Sequence, residues 1–428
     1  MERTHISKLK EAVGKEVLIK GFVEAIRDQG KIKFLVIRDV TGQVQVVVKD
    51  SPALEKVEDL TLESVISLTG LAKEEAQAPG GFEIKATDFE VLSKADPELA
   101  IPVVYEKSGG EVDVSKRFDY RWLDMRRPEK QEILKVWTHL EKGFREFMLS
   151  QDFIQAYSPS FMTAPSESGS EVFEVSYFER KAYLAQSPQF YKQMAMAAGL
   201  EKIFMIGPVY RAEPSFTTRH VTEFTGWDLE FSYIKDHYDV MSMEEDMLIA
   251  AFTEAKEALD LDIEIPTKPF PKITMVEAKE KLKAAGVHSA KEHDVSPEEE
   301  REISRIIKEE TGHDFVFLTD WHVSERPFYH MRHEDNPQLT KSFDLIYKGV
   351  EITTGAQREH RLEVLKEQAL EKGMSLDSIA EYLKFFQYGC PPHGGAGIGP
   401  ARIVMKLMDL PSIKEATFLP RDVKRLTP

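Results

Sequence analysis

Five short β-forming segments crowd between Glu16 and Ser93, too close together for anything but a small barrel or sandwich. VLIKGFVEAI, KIKFLVIRDV, QVQVVVKD, SVISLTGLA and FEIKATDFEVL are rich in β-branched and aromatic residues. Gln29-Gly30, Thr41-Gly42 and Pro79-Gly80-Gly81 supply turn chemistry between them. Residues 1–95 are therefore predicted to form a five-stranded β-barrel of the OB type, with a small sandwich as the competing arrangement. Charge sharpens the choice of partner. The chain carries 56 Lys and Arg against 73 Asp and Glu, a formal charge of −17, which disfavours a polyanionic partner because phosphate contacts need clustered cations. Residues 1–49 nevertheless hold ten basic and six acidic side chains, a local +4, so this segment can carry a basic patch inside an acidic chain.

Residues 96–128 read as a hinge, with Pro97, Pro102 and Gly109-Gly110 ahead of the basic stretch Arg121-Trp-Leu-Asp-Met-Arg-Arg-Pro128. After Pro128, Ile133, Leu134, Trp137, Leu140, Phe144, Phe147 and Met148 recur at helical spacing, predicting a core-facing amphipathic helix of about five turns. From 129 to 428, strand-like pieces (KIFMIGPVYRAE, TGWDLEFSYI, SFDLIYKGVEITTG) mix with helices predicted at 239–258, 295–310 and 361–373. Strands outnumber single crossover units, so the expected fold class is α+β, with a mainly antiparallel sheet flanked by helices. GxGxxG and Walker patterns are both missing, so a nucleotide site has to be built another way. A single cysteine, Cys390, excludes an intramolecular disulfide and a multi-thiolate metal site. The charged start MERTHISKLK lacks a signal-peptide core, and no apolar run approaches the ~18 residues of a membrane span. The expectation is a cytoplasmic protein without a membrane partner.

Three clusters carry chemistry. In Tyr210-Arg-Ala-Glu-Pro-Ser-Phe-Thr-Thr-Arg-His-Val-Thr-Glu-Phe224, two strand-like pieces flank a loop whose Arg211, Arg219 and His220 can wrap a polyphosphate while Phe224 offers a flat face to a base. Taken singly, each of these residues is an ordinary charged hairpin tip. Asp344 and Gly349-Val-Glu-Ile-Thr-Thr-Gly-Ala-Gln-Arg-Glu-His-Arg361 bring oxygen ligands, Glu351 and Thr354, that suit Mg²⁺ sharing its shell with phosphates. A solvated strand end explains them as well. His393-Gly-Gly-Ala-Gly-Ile-Gly-Pro-Ala-Arg402 allows either close backbone approach to a ligand or a tight strand-to-helix turn that Arg402 would follow.

In this order the clusters resemble the three motifs of class II aminoacyl-tRNA synthetases, in particular the aspartyl branch of the archaeal and eukaryotic-like type. Asp152-Phe-Ile-Gln-Ala-Tyr-Ser-Pro159 looks like motif 1, Arg211 to Glu230 like motif 2, and Gly394 to Arg402 like motif 3. The barrel matches that family's anticodon-binding domain, RWLDMRRP its hinge, and FLPRDVKRLTP its ending. The resemblance implies a homodimeric ligase of 1–95, 96–128 and 129–428, acting with ATP and Mg²⁺ on L-aspartate and tRNA(Asp). Arg211 and Arg402 would be the catalytic pair. Arg211, Glu213, Arg219, His220, Phe224, Glu351 and Arg402 would bind ATP, Phe224 stacking on adenine with the Arg402 guanidinium on the opposite face. Glu351 and Thr354 would hold the metal. Glu167, Gln189, Lys192, Asp228 and Arg358 would bind aspartate, and Arg27, Phe34 and Gln45 the anticodon. Contacts to tRNA are also expected from Arg121 to Arg127 and from Arg421, Lys424 and Arg425.

Choice of amino acid rests on Lys192 and Arg358, which in aspartyl enzymes flank the substrate's side-chain carboxylate. An asparagine amide between two buried cations would leave them uncompensated, at a cost of several kcal/mol. Glu167, Gln189 and Asp228 would take the α-amino end. In the second predicted barrel strand the alternation of Ile32, Phe34 and Val36 with Lys33, Leu35 and Ile37 leaves the buried face undecided. Three departures stand out: Pro400-Ala401 where motif 3 has an acidic residue before its arginine, Glu167-Ser168-Gly169 where a second glycine is usual, and Thr354 in place of serine. The competing readings are asparaginyl-tRNA synthetase, which shares fold and ATP site but lacks this lysine, and a catalytically silent paralogue acting as a binding module. Discriminating archaeal members tend to carry tryptophan where Glu24 stands, and the Pro79 loop differs too, which tilts the reading slightly toward charging tRNA(Asn) as well.

Overall fold

Alternating burial closes the N-terminal strands into a barrel. β1 (Glu16–Asp28), β2 (Ile32–Asp39), β3 (Gly42–Lys49), β4 (Val65–Glu74) and β5 (Phe82–Ser93) pair in the closed order β1-β2-β3-β5-β4. Only β3 and β5 run parallel. Val17, Ile19, Leu35, Ile37, Val44, Val46, Val48, Ile66, Leu68 and Ile84 fill the interior, as period-2 strands require. On β2 this resolves the ambiguity left by the sequence: Leu35 and Ile37 are core, whereas Ile32, Phe34 and Val36 are half-buried on the outer face. In this computed structural model, residues 1–49, 52–104, 112–163, 172–215 and 217–428 are described. They divide into two units, Met1–Pro128 and Glu129–Pro428, so the stretch 96–128 falls with the barrel.

Within the first unit the basic run ending at Pro128 turns inward. Arg121 is buried with Asp124, Nη1 lying 2.5 Å from Oδ2, and Arg117 and Arg127 each approach the same carboxylate at 3.5 Å. Arg126 binds Glu63 at 3.0 Å and lies 4.3 Å over the Phe22 ring. The expectation that Arg121 to Arg127 contact RNA is thus corrected for Arg121, whose charge is spent on a desolvated ion pair.

In the second unit the helix Pro128–Ser150 runs 23 residues, longer than the five turns expected, and buries Ile133, Val136, Leu140, Phe144 and Met148. Leu134, Trp137 and Phe147 flank that stripe half-buried, and Phe144 stacks on Trp227 at 4.7 Å. The helices His237–Leu259, Pro297–Thr311 and Leu362–Glu371 fall within two residues of their predicted bounds. The strands are β6 (Ile154–Ala156), β7 (Phe161–Met162), β8 (Glu174–Tyr177), β9 (Arg180–Leu184), β10 (Lys202–Tyr210), β11 (Glu223–Ser232), β12 (Lys272–Thr274), β13 (Phe315–Thr319), β14 (Ser342–Tyr347), β15 (Val350–Arg358) and β16 (His393–Ile398). Eight form one sheet, β12-β13-β14-β15-β16-β11-β10-β6, and three a small one, β7-β9-β8. The large sheet is antiparallel except for its two outermost pairs, matching the predicted α+β class. Among the described residues no helix is long and apolar enough to cross a membrane.

The helix His237–Leu259 buries an unexpected acid. Glu244 is fully enclosed, neither of its oxygens meets a hydrogen-bond partner in good geometry, and burial pushes its pKa up to about 8 despite an opposing pull from the Thr353 hydroxyl. Because the folded-state pKa is raised, the stability this group confers is complete below the ordinary value near 4.5 and is lost as pH rises through about 8. The slope in that window approaches about 1.4 kcal/mol per pH unit. Glu244→Gln, neutral throughout, should match wild type near pH 5 and exceed it near pH 8 in urea unfolding. Curves that stay parallel across this range would show that Glu244 does not carry its proton into the fold.

Candidate active site

A cavity of about 640 Å³ lies over one face of the large sheet, on β11, β15 and β16. Strand alternation sets its floor: Phe224, Gly226 and Asp228 follow one another on β11, and Thr354 and Arg358 on β15. Glu351 joins them through an irregularity opposite Leu345 and Ile346, where one extra residue on β15 brings an odd-numbered spacing onto one face. The helix Gln189–Ala197 contributes Gln189 and Lys192, the loop between β10 and β11 contributes Arg211, Glu213, Arg219 and His220, and the helix Pro400–Leu407 contributes Arg402. The structure therefore gathers every site residue expected in the second unit except Glu167, which lies outside the described residues together with Ser168 and Gly169.

At one end sits a buried charge quartet. Lys192, 1% exposed, places Nζ 2.7 Å from Asp228 Oδ1, 3.5 Å from Glu230 Oε2 and 3.1 Å from the Ala396 carbonyl. Arg358 donates to Glu230 Oε1 at 3.0 Å and to the Gly395 carbonyl at 2.9 Å. Burial works against ionising Glu230, yet Arg358 and Lys192 together hold its pKa below the usual carboxylate value. The expectation that an asparagine would leave two bare cations needs correction on this point: Asp228 and Glu230 already neutralise them. Arg358 Nη1 also donates to His330 Nε2 at 2.9 Å, which fixes a neutral imidazole with its proton on Nδ1. Burial, with Arg358 next, lowers the His330 pKa well below its usual value. Gln189 is buried with its amide nitrogen unpaired.

Cations and one aromatic ring line the other end. Arg211 is largely exposed, 4.0 Å from Glu213, with its guanidinium 5.6 Å from the centre of the Phe224 ring. Arg402 lines the cavity with Phe224, donating to the Glu351 carbonyl at 2.7 Å and lying 3.3 Å from its carboxylate. Arg219 pairs in bidentate fashion with buried Glu300, at 2.6 and 3.2 Å, so its charge is braced rather than free. His220 contacts Thr217 and Ser215 through Nδ1, and burial followed by the Arg402 charge lowers its pKa. Main-chain bonds from Thr222 N to Arg421 O and from Ile413 N to Thr218 O tie the loop to the C-terminal segment.

The donor set near Glu351 suits a hard divalent ion. Asp344 Oδ1 accepts from the Thr354 hydroxyl at 2.8 Å, and burial, with the Glu351 charge adding to it, holds the Asp344 carboxyl above its ordinary range. Two carboxylates that repel each other beside a hydroxyl are what Mg²⁺ favours. Among the described residues no three His, Cys, Asp or Glu side chains converge, so an ion here takes few protein ligands.

On the barrel, Arg27 and Phe34 are directly opposed across β1 and β2, with Val47 next in line and Gln45 one step along the same face of β3. Arg27 is exposed and Phe34 half-buried. The Gln45 amide donates to Glu83 at 3.0 Å. Glu24 takes Arg38 at 2.8 Å and the Gln43 amide at 2.8 and 2.9 Å.

Sequence reasoning missed Glu230, His330, Arg326 and Glu300. Glu230 sits two residues beyond Asp228 on the same strand face, a spacing that could have found it; the other three come from distant segments and have no local signal. The glycine-rich run also proves to be mostly strand. A Cβ at Gly395 would come 2.1 Å from the Leu229 carbonyl and 2.4 Å from Glu230 Oε2, so this glycine makes room for protein, whereas Gly397 and Gly399 line the cavity.

Residues 113–423 match the family of class II tRNA synthetases (D, K and N), and residues 17–92 match the OB-fold nucleic acid binding domain. The chain is 42% identical to the aspartate-tRNA(Asp/Asn) ligase of Aeropyrum pernix, over 99% of this chain and 98% of that one. It is 38% identical to the aspartate-tRNA(Asp) ligase of Pyrococcus abyssi over the whole of both. Among solved structures, the asparaginyl-tRNA synthetase of Pyrococcus horikoshii complexed with asparaginyl-adenylate superposes with a TM-score of 0.91 at 31% identity, covering 100% of each chain.

Gly395→Ala should press on Glu230 and destabilise the second unit by about 1–3 kcal/mol or more, read as a lower urea midpoint. An unchanged midpoint would mean that the strand can shift to admit the methyl group.

Proposed function

The chain belongs to the class II tRNA synthetases of the D, K and N group, and from that premise we propose that it joins L-aspartate to tRNA(Asp), and to tRNA(Asn) as well. The observation that carries this reading is the Lys192–Asp228 ion pair at one end of a cavity whose other end presents Arg211, His220 and Arg402.

Chemistry follows from that polarity. ATP lies with adenine against Phe224 and its phosphates among Arg211, Arg219, His220 and Arg402, and Glu213 completes the pocket. The aspartate α-carboxylate attacks the α-phosphorus in line, the bond to the bridging oxygen breaks, and pyrophosphate leaves with its electron pair. Arg211 neutralises the charge that builds on the α-phosphoryl oxygens. The protein supplies no nucleophile of its own; positioning and electrostatics are its contribution. Glu351 and Thr354, with Asp344 beside them, would hold Mg²⁺, which when bound offsets phosphate charge. A terminal ribose hydroxyl of tRNA then takes the aspartyl group and AMP departs.

Selection of aspartate works by exchange of partners. The substrate ammonium takes Asp228, with Glu167 and Gln189 alongside, and the substrate side-chain carboxylate takes the released Lys192 and approaches Arg358. Asparagine would split the same ion pair and leave Lys192 buried against an amide, which costs several kcal/mol. The fold likeness to an asparaginyl enzyme does not offset this, because the two share scaffold and ATP site.

The barrel, 1–95, reads the anticodon through Arg27, Phe34 and Gln45, with Phe34 stacking on a base; 96–128 is the hinge, and 129–428 catalyses. Glu24, already occupied by Arg38 and Gln43, supports the relaxed choice between tRNA(Asp) and tRNA(Asn). We assign a homodimer on the edge strand β6, where Ile154 and, just beyond the strand, Tyr157 are exposed, and a cytoplasmic location.

Charging purified tRNA(Asp) and tRNA(Asn) side by side tests the assignment: both should accept aspartate and neither asparagine. Asparagine transfer to either would overturn it. In pyrophosphate exchange, Lys192→Leu should raise the KM for aspartate by at least about a hundredfold, the scale of a lost buried charge contact, while the KM for ATP stays within a few-fold. An equal rise in both would remove Lys192 from the amino-acid pocket.

A further inference from the structure

Arg326 has no part in the chemistry above, yet it lines the same cavity and is 8% exposed. Its guanidinium carbon rests 4.0 Å from the centre of the Trp321 ring. Trp321 is itself anchored by its Nε1 to the Leu318 carbonyl at 3.0 Å. Nη2 stands 2.8 Å from Asp344 Oδ1, but neither Nη2 nor Nε makes an aligned hydrogen bond. The side chain is therefore desolvated, fixed by stacking, and incompletely satisfied by the Asp344 carboxylate. That combination costs free energy unless something uses it.

Across the corner, Arg402 Nη1 lies 3.3 Å from Glu351 Oε1. The two carboxylates that suit a divalent ion are thus each matched by a guanidinium, so the local charge sums to zero. A bare cation entering this corner meets repulsion from Arg326 and Arg402 that opposes its attraction to Asp344 and Glu351. A polyphosphate changes the balance, because it offers the arginines oxygens of their own.

We propose that Arg326 is the resident counter-cation of the Asp344–Glu351 corner, a positioning residue that keeps divalent-cation affinity low until an anionic polyphosphate accompanies the ion. The proposal rests on the metal reading of Glu351 and Thr354 given above.

Mn²⁺ titration of the nucleotide-free full chain, followed by the free-ion electron paramagnetic resonance signal, tests it without recourse to activity. Wild type should bind weakly. Arg326→Met and Arg326→Gln should each bind at least about tenfold more tightly, a modest share of the interaction between a cation and a unit charge a few ångströms apart, whereas Arg326→Lys stays near wild type. Adding Glu351→Gln to Arg326→Gln should abolish the gain. Tight binding by wild type, or no tightening in whichever neutral variant retains a wild-type circular dichroism spectrum, overturns the proposal and leaves the metal reading standing. A gain that survives Glu351→Gln overturns the metal reading instead, and the proposal with it.

Discussion

One end of the cavity in the second unit is organised around four charges held almost entirely out of water. Lys192, Asp228, Glu230 and Arg358 come from a helix and two strands, β11 and β15, and none could be buried alone without a penalty of several kcal/mol. Together they neutralise one another, and that requirement fixes their surroundings. The strand between them, β16, carries glycine at 395 because a side chain there would occupy the space of the Glu230 carboxylate. The Ala396 and Gly395 carbonyls turn toward Lys192 and Arg358. The helix bearing Lys192 packs on β11, where the ion pair needs it. The charge at this end of the cavity and the packing of the strands beneath it thus rest on the same contacts.

Much of this architecture was legible in the sequence because it is encoded locally. Alternating burial and turn residues marked all five barrel strands, and three helices fell within two residues of their predicted ends. The site was legible for a different reason: its motifs keep reactive side chains at fixed spacing on hairpins and helix starts. Long-range partners escaped. Nothing near Lys192 announces that Glu230 lies beneath it, and nothing near Arg219 points to Glu300. Two inferences failed for that reason. Lys192 and Arg358 were expected to be left uncompensated by an asparagine amide, yet Asp228 and Glu230 already pair with them, and Arg121 was expected at an RNA surface and is buried on Asp124. Phe34 was undecidable on sequence because both alternating sets on β2 contain apolar residues; closure of the barrel decided it.

Net charge is a poor guide to partner here for a related reason. Many of the acidic side chains are committed to partners inside the fold, among them Glu63, Asp124, Glu230, Glu300 and Asp344. An overall −17 therefore coexists with a cavity that presents Arg211, His220 and Arg402 to an anion, and with a barrel face on which Arg27 remains exposed.

The irregularity between β14 and β15 sets a different kind of limit on how such a chain can change. Substituting Glu351 or Thr354 alters the cavity by degrees, since one donor is exchanged for another in place. Ironing out the bulge with the residue count unchanged, so that Thr354, Thr353, Ile352 and Glu351 alternate regularly, would turn Glu351 to the back of the sheet and bring Ile352 forward in its stead. The unpaired residue is thus a structural quantity in its own right. The cavity can drift through point changes, yet it cannot lose the bulge at constant length without losing its acidic corner in one step.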